Sequence, residues 1–138
     1  MARYPVLDSD VLIDHLRGSG PGSALVTRLA DSLEFLVTAV SAFELALGRS
    51  FVTHPEPVLA LLEAPALPLT HAAALRGGDL ARSLRDGGVG IDVRDAMQAG
   101  ICLQAALPLV TRNASHFDRV AGLEVVAPED WLGRLGGA

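Results

Sequence analysis

The sequence has no lysine, and all eleven of its basic residues are arginine. Any mechanism that needs a catalytic lysine is excluded. Aromatic residues are nearly absent too, with only six Phe, Tyr or Trp in 138. That is too few for the stacking platforms on which single-strand binders lay successive bases, and it leaves the core to Ala, Leu and Val. One cysteine, Cys102, can form no internal disulfide, which fits a reducing compartment; its apolar surroundings predict a buried, inert thiol. The four histidines, His15, His54, His71 and His116, have no metal-ligand spacing. With a single cysteine they make a zinc site improbable. His116, beside Phe117, is expected to serve packing. The longest uncharged run, from Ala96 to Thr111, is broken by Gln98, Gln104 and Pro108 and is too short to span a bilayer. Met1-Ala-Arg-Tyr-Pro carries no signal-type apolar segment. These absences predict a soluble, cytoplasmic protein with no membrane contact.

What is present is apolar, at half of all residues, and the length suits one domain over residues 1–138. Two periods alternate along the chain. Strands are expected at Tyr4 to Leu7, Phe35 to Val37, Ala66 to Leu69, Leu109-Val110 and Glu124 to Val126. Helices are expected at Val11 to Arg17, Ser23 to Asp31, Val40 to Ser50, from Pro55 or Pro57 to Glu63, Thr70 to Leu84 and Asp92 to Leu107. Strands alternating with helices imply an α/β fold, a three-layer α/β/α sandwich around a mainly parallel sheet.

Carboxylates stand where such strands end. Val6-Leu7 runs into Asp8-Ser9-Asp10 and then turns apolar again, which reads as a strand delivering acids to the edge where open α/β sheets bind ligands. The competing reading makes Ser9 or Asp10 a simple helix cap. Glu44 falls early in the helix after the second strand, although Ser41-x-x-Glu44 also has capping-box spacing. Asp95 opens the long helix, where an acid also complements the dipole; its small neighbours Ala96, Ala99 and Gly100 predict a close approach of that helix to the sheet. Pro108 to Asn113 is another strand ending in polar residues, with Arg112 and Asn113 at the same edge.

Four segments, Asp8-Ser9-Asp10-Val11-Leu12-Ile13, Ser41-Ala42-Phe43-Glu44-Leu45-Ala46-Leu47-Gly48, Asp95-Ala96-Met97-Gln98-Ala99 and Leu109-Val110-Thr111-Arg112-Asn113-Ala114-Ser115-His116-Phe117, resemble the four ordered motifs of PIN-domain proteins, VapC-type toxins in particular. The resemblance implies a PIN-like fold and a Mg²⁺- or Mn²⁺-dependent endoribonuclease, the toxin of a toxin-antitoxin pair. Partners would be RNA, a cognate antitoxin protein and a second copy in a homodimer. It maps the metal-binding and catalytic acids onto Asp8, Glu44 and Asp95, with Asn113 where a fourth acid is often found. Asp10 stands where the family commonly has a neutral residue, so the two departures offset each other in charge. Asp10, Thr111 and Arg112 are further candidates, Arg112 for a phosphate oxygen together with the helix start after Thr111. Hard divalent cations prefer such oxygen ligands.

The formal charge of −5 runs against RNA binding, yet without Asp8, Asp10, Glu44 and Asp95 it is −1. The absence of a basic footprint points to a small, selective contact with RNA. Two alternatives remain. Asp8-Ser9-Asp10 also resembles the nucleophile and acid pair of haloacid-dehalogenase-like phosphatases, against which stand the missing lysine and the lack of a late Asp-Asp pair. A noncatalytic metal- or partner-binding module is the other, and the mean hydropathy of +0.37 suggests apolar surface covered by association.

Overall fold

The computed structural model describes residues 3–136. Its elements run in the order β1 (Val6–Leu7), α1 (Ser9–Arg17), α2 (Pro21–Ala30), β2 (Val37–Thr38), α3 (Ala39–Leu47), α4 (Arg49–Thr53), α5 (Pro55–Leu61), β3 (Ala66–Leu67), α6 (His71–Asp86), α7 (Val93–Ala105), β4 (Leu109–Val110), α8 (Ala114–Phe117), β5 (Val125–Val126) and α9 (Pro128–Gly136). Every pairing is parallel: β2 with β3, β1 with β4, and β4 with β5. A parallel bridge between Val6 and Leu36 joins the two groups, giving the order β3-β2-β1-β4-β5.

Alternation along the short strands distributes the core to both faces. Leu7, Val37, Val110 and Val126 point to one side and pack with α1, α2, α5 and α9 through Val11, Leu25, Val58 and Trp131. Val6, Leu109 and Val125 point to the other, against Ala99 and Cys102 of α7 and Phe117 of α8. Both faces are covered, as a parallel sheet requires. Cys102 is buried and free, and burial together with the nearby Asp8 charge pushes its thiol up to about 12.

Local chemistry explains where the elements differ from the sequence reading. The helix expected from Val40 to Ser50 is two helices, because Gly48 adopts an extended conformation (ψ 155°) between them. Pro21, preset for a first helical turn, starts α2 earlier than expected. The long helix stops at Ala105, where Ala106 turns left-handed at φ 55°. Helix α9 had no counterpart in the sequence reading; its Trp131 closes one face of the core. One of the small residues of α7 serves a different neighbour from the one expected. Ala99 lies on the sheet side, but Gly100 faces α6, where a Cβ would come within 2.4 Å of the Ala73 carbonyl oxygen.

The chain moves outward from β1 to β3 on one side and from β4 to β5 on the other. The order therefore reverses between β1 and β4, and the crevice beyond their carboxyl ends is where such sheets bind ligands.

Candidate active site

Asp8 leaves β1 and caps α1, while Thr111 leaves β4, so the reversal point brings their side chains together. Thr111 Oγ1 donates to Asp8 Oδ2 at 2.8 Å and lies 3.2 Å from Asp10 Oδ2. Asp8 Oδ1 accepts from the Ser9 amide at 2.9 Å and from Gln98 Nε2 at 3.2 Å. Asp8 is only 8% exposed. Burial, followed by the negative charge of Asp10, pushes its carboxyl up to about 7, against the pull of the Thr111 and Ser9 hydrogen bonds.

Asp10 sits one step along α1. Its Oδ2 accepts from the Arg112 amide at 3.1 Å and from Asn113 Nδ2 at 2.9 Å. Its Oδ1 is buried with no hydrogen-bond partner. Burial raises this carboxyl as well, opposed first by the Arg112 N–H.

Glu44 is carried in by α3. The capping-box reading fails here, because Thr38 caps that helix and accepts from the Ser41 amide at 3.0 Å. Glu44 instead reaches across to Ser9, whose Oγ donates to Oε1 at 3.1 Å, and to Arg94, whose Nη1 donates to Oε2 at 3.3 Å. Asp95 is placed by α7, which Asp92 caps. Its Oδ2 lies 3.3 Å from His116 Nδ1. Burial raises the Asp95 carboxyl, and His116 offsets part of that.

Asp8, Asp10, Glu44, Asp95 and Asn113 thus line one cleft of about 370 Å³, with Ser9, Asp92, Arg94 and His116. A PIN domain is the family whose sequence model matches, over residues 6–123. The chain belongs to the PIN-domain family. Ribonuclease VapC19 of Mycobacterium tuberculosis is 30% identical over 125 residues, which cover 86% of this chain and 96% of that protein. A chain in the crystal structure of DNA-bound VapBC from Salmonella typhimurium superposes with a TM-score of 0.74 at 21% identity, covering 92% of this chain and 99% of that one. A chain of VapBC-5 from Mycobacterium tuberculosis, of the VapBC family of toxin-antitoxin systems, does so with a TM-score of 0.62 at 20% identity, covering 91% and 99%. At these identities the two structures show the shared PIN fold alone.

The cleft of this PIN domain suits a hard cation. Its candidate ligands are all oxygens, and the unpartnered Asp10 Oδ1 is a buried acceptor of the kind a cation or a proton must satisfy. Among the described residues no three of His, Cys, Asp and Glu stand close enough to hold a metal ion between them. Magnesium does not need three, since it takes one or two carboxylates and keeps several waters.

Two expectations are corrected. Arg112 does not face the cleft: Nη1 donates to Asp14 Oδ1 at 2.8 Å, and its backbone N–H, offered above to a phosphate, goes to Asp10. His116 is not a packing residue, being 56% exposed and lining the cleft beside Asp95. The phosphatase alternative is set aside by the family match over residues 6–123 and by the absence of any lysine.

Gln98 is the residue that sequence reasoning missed. Buried in α7, it donates to Asp8 Oδ1 and to Ser41 Oγ at 3.0 Å, and its Oε1 accepts from Thr38 Oγ1. It ties the start of α3 to the end of β1. The available signal was its position three residues after Asp95, on the same side of the helix, as a polar residue among small apolar ones.

Proposed function

We propose that this chain is a metal-dependent endoribonuclease of the VapC type, using Mg²⁺ or Mn²⁺, and the toxin of a toxin-antitoxin pair. The observation that carries the reading is the convergence of carboxylates from three separate segments, Asp8 with Asp10, Glu44 and Asp95, on one cleft at the sheet's reversal point. The similarity to Ribonuclease VapC19 supports the activity, and the VapBC neighbours support a cognate antitoxin.

Asp8, Glu44 and Asp95 would hold the ion, directly or through its waters, with Asp10 and Asn113 lining the same cleft. The chemistry a divalent cation supplies there is activation of a water for in-line attack on phosphorus and compensation of the charge that develops. The protein contributes orientation. Thr111 and Gln98 fix the two oxygens of Asp8 from opposite sides, Ser9 fixes Glu44, and His116 aligns Asp95. Asp8, buried and raised to about 7, exchanges its proton near neutral pH, and that proton must be off before the carboxylate can serve as a ligand.

Residues 1–138 form one nuclease domain in this reading, acting in the cytoplasm; no helix among the described residues is long and apolar enough to cross a membrane. Phe43 and Leu47 of α3 and Val52 of α4 are 60%, 71% and 79% exposed, and such apolar surface supports burial against an antitoxin or in a homodimer.

Cleavage of RNA by the purified protein tests the reading. Activity is expected with Mg²⁺ or Mn²⁺, and is expected to vanish in EDTA and in Asp8→Asn or Asp95→Asn, with the fold retained by circular dichroism. Full activity in EDTA or in either variant overturns it.

A further inference from the structure

The acid cleft does not end at Asp95. A second hollow of about 220 Å³, bordered by Gly90, Ile91 and Arg119, shares Asp92, Asp95 and His116 with it, so the two form one groove across the N-terminal end of α7. One arginine stands at each end, Arg94 on the Glu44 side and Arg119 on the other. Resting on the ribonuclease reading, we propose that this groove is the path of single-stranded RNA, with the scissile phosphate over the acids and flanking phosphates held by Arg94 and Arg119.

The two guanidiniums are suited to this because their present partners hold them weakly. Arg94 is 52% exposed and pairs with Glu44 at 3.3 Å and with Asp92 at 3.8 Å. Arg119 is 49% exposed and lies 3.9 Å from Asp118. Exposed pairs of this kind contribute about 0–1 kcal/mol, so a phosphate replaces the carboxylate at little cost. The other arginines line neither hollow. Arg112 is bound to the buried Asp14, and Arg3 and Arg134 both hold Glu124. No Phe, Tyr or Trp lines either part of the groove, and its one imidazole, His116, is paired with Asp95. Affinity then comes from backbone charge, which positions a strand without reading its sequence.

A strand gripped only by phosphates loses affinity steeply with salt, at about 0.7 in log K per phosphate neutralised for single strands. Binding of a short fluorescein-labelled single-stranded RNA, with Ca²⁺ replacing Mg²⁺ to slow turnover, is measured by fluorescence anisotropy across a NaCl series. Arg94→Ala and Arg119→Ala are each expected to flatten the slope by about 0.7, or about fivefold in affinity for a tenfold change in salt, and the double variant by about twice that. Lysine at either position is expected to restore the slope. Arg82→Ala, an exposed arginine on α6 paired with Asp79, is expected to leave it unchanged. A role for Arg94 confined to neutralising Glu44 would alter thermal stability and Mg²⁺ affinity but not the slope. If the wild type binds RNA and either alanine variant keeps the full slope, the path is overturned while the ribonuclease reading stands. If the wild type neither binds nor cleaves RNA, both are overturned.

Discussion

Asn113 donates its side-chain amide to Asp10 Oδ2 at 2.9 Å. These are the two positions at which the chain departs from the motifs it resembles, one losing a carboxylate and the other gaining one, and they are in direct contact. The amide at position 113 thus holds the carboxylate at position 10. Asn113→Asp would turn this hydrogen bond into a meeting of two carboxylates next to an already raised Asp8. In EDTA at neutral pH it is expected to destabilise the protein by about 1–3 kcal/mol, read as a fall in Tm, and added Mg²⁺ should recover more for this variant than for the wild type. Asp10→Asn combined with Asn113→Asp restores the charge count and should regain most of the lost stability. An unchanged Tm for Asn113→Asp in EDTA would mean that the contact is incidental.

Asp8 sets the pH dependence of stability. Its folded-state value of about 7 lies above the ordinary 3.8, so between those values the folded protein binds more protons than the unfolded chain. The contribution is complete below about pH 4 and is lost as pH rises through 7; Asp10 and Asp95, also raised, act in the same direction. For Asp8 the full span is on the order of 4 kcal/mol. Calorimetry in EDTA is therefore expected to show the wild type losing Tm from pH 5 to 8, and Asp8→Asn losing less and ending as the more stable protein. Mg²⁺ should reverse that order at pH 8. A variant less stable than wild type throughout would make Asp8 a structural cap.

The helix pair that carries Asp95 and Gln98 is set by glycine. A Cβ on Gly100 would lie 2.4 Å from the Ala73 carbonyl oxygen and 2.9 Å from the Gly77 nitrogen, both backbone atoms that cannot swing aside. Gly78, on the same helix as Gly77, has no atom within 4 Å of a built Cβ. Alanine inside a helix is favoured over glycine by up to about 1 kcal/mol, so Gly78→Ala is expected to stabilise by that amount. At Gly100 the forced separation of α6 and α7 outweighs the gain, and Gly100→Ala should cost about 1–3 kcal/mol and reduce cleavage as Asp95 moves. Denaturant titration of both variants checks the sign; two stabilised proteins would refute the close packing.

How much of this was legible in the sequence follows from how local each signal is. Strand ends marked by acids, as at Val6-Leu7-Asp8, are local, and the strands fell where expected to within a residue or two. Tertiary pairings are not local. Gln98 reads as a break in an apolar run until α7 is laid beside β1, and Asp14 reads as one more helical acid. The division at Gly48 was missed because a single extended residue leaves the apolar period of the flanking helices intact. The spacing Ser41-x-x-Glu44 suggested a cap, but Thr38, with a side-chain oxygen at the end of β2, took that role one turn earlier.

Arg112 gives the sharpest contrast between motif and structure. Its neighbours Thr111 and Asn113 both serve the carboxylates, yet its own side chain runs to Asp14, which is 5% exposed and also accepts from the Gly22 amide at 2.8 Å. The pair pins α1, the start of α2 and the turn after β4 to one another, so that Asp10 stays opposite Asn113. Arg112→Ala leaves Asp14 with the Gly22 donor alone and is expected to cost about 1–3 kcal/mol. Arg112→Met, which keeps the apolar stem but not the charge, should lose nearly as much if the ion pair is what matters. Neither variant should alter the salt slope of RNA binding, because the guanidinium does not face the groove. A flattened slope in Arg112→Ala with an unchanged Tm would return Arg112 to the role its position in the motif suggested, that of a phosphate ligand.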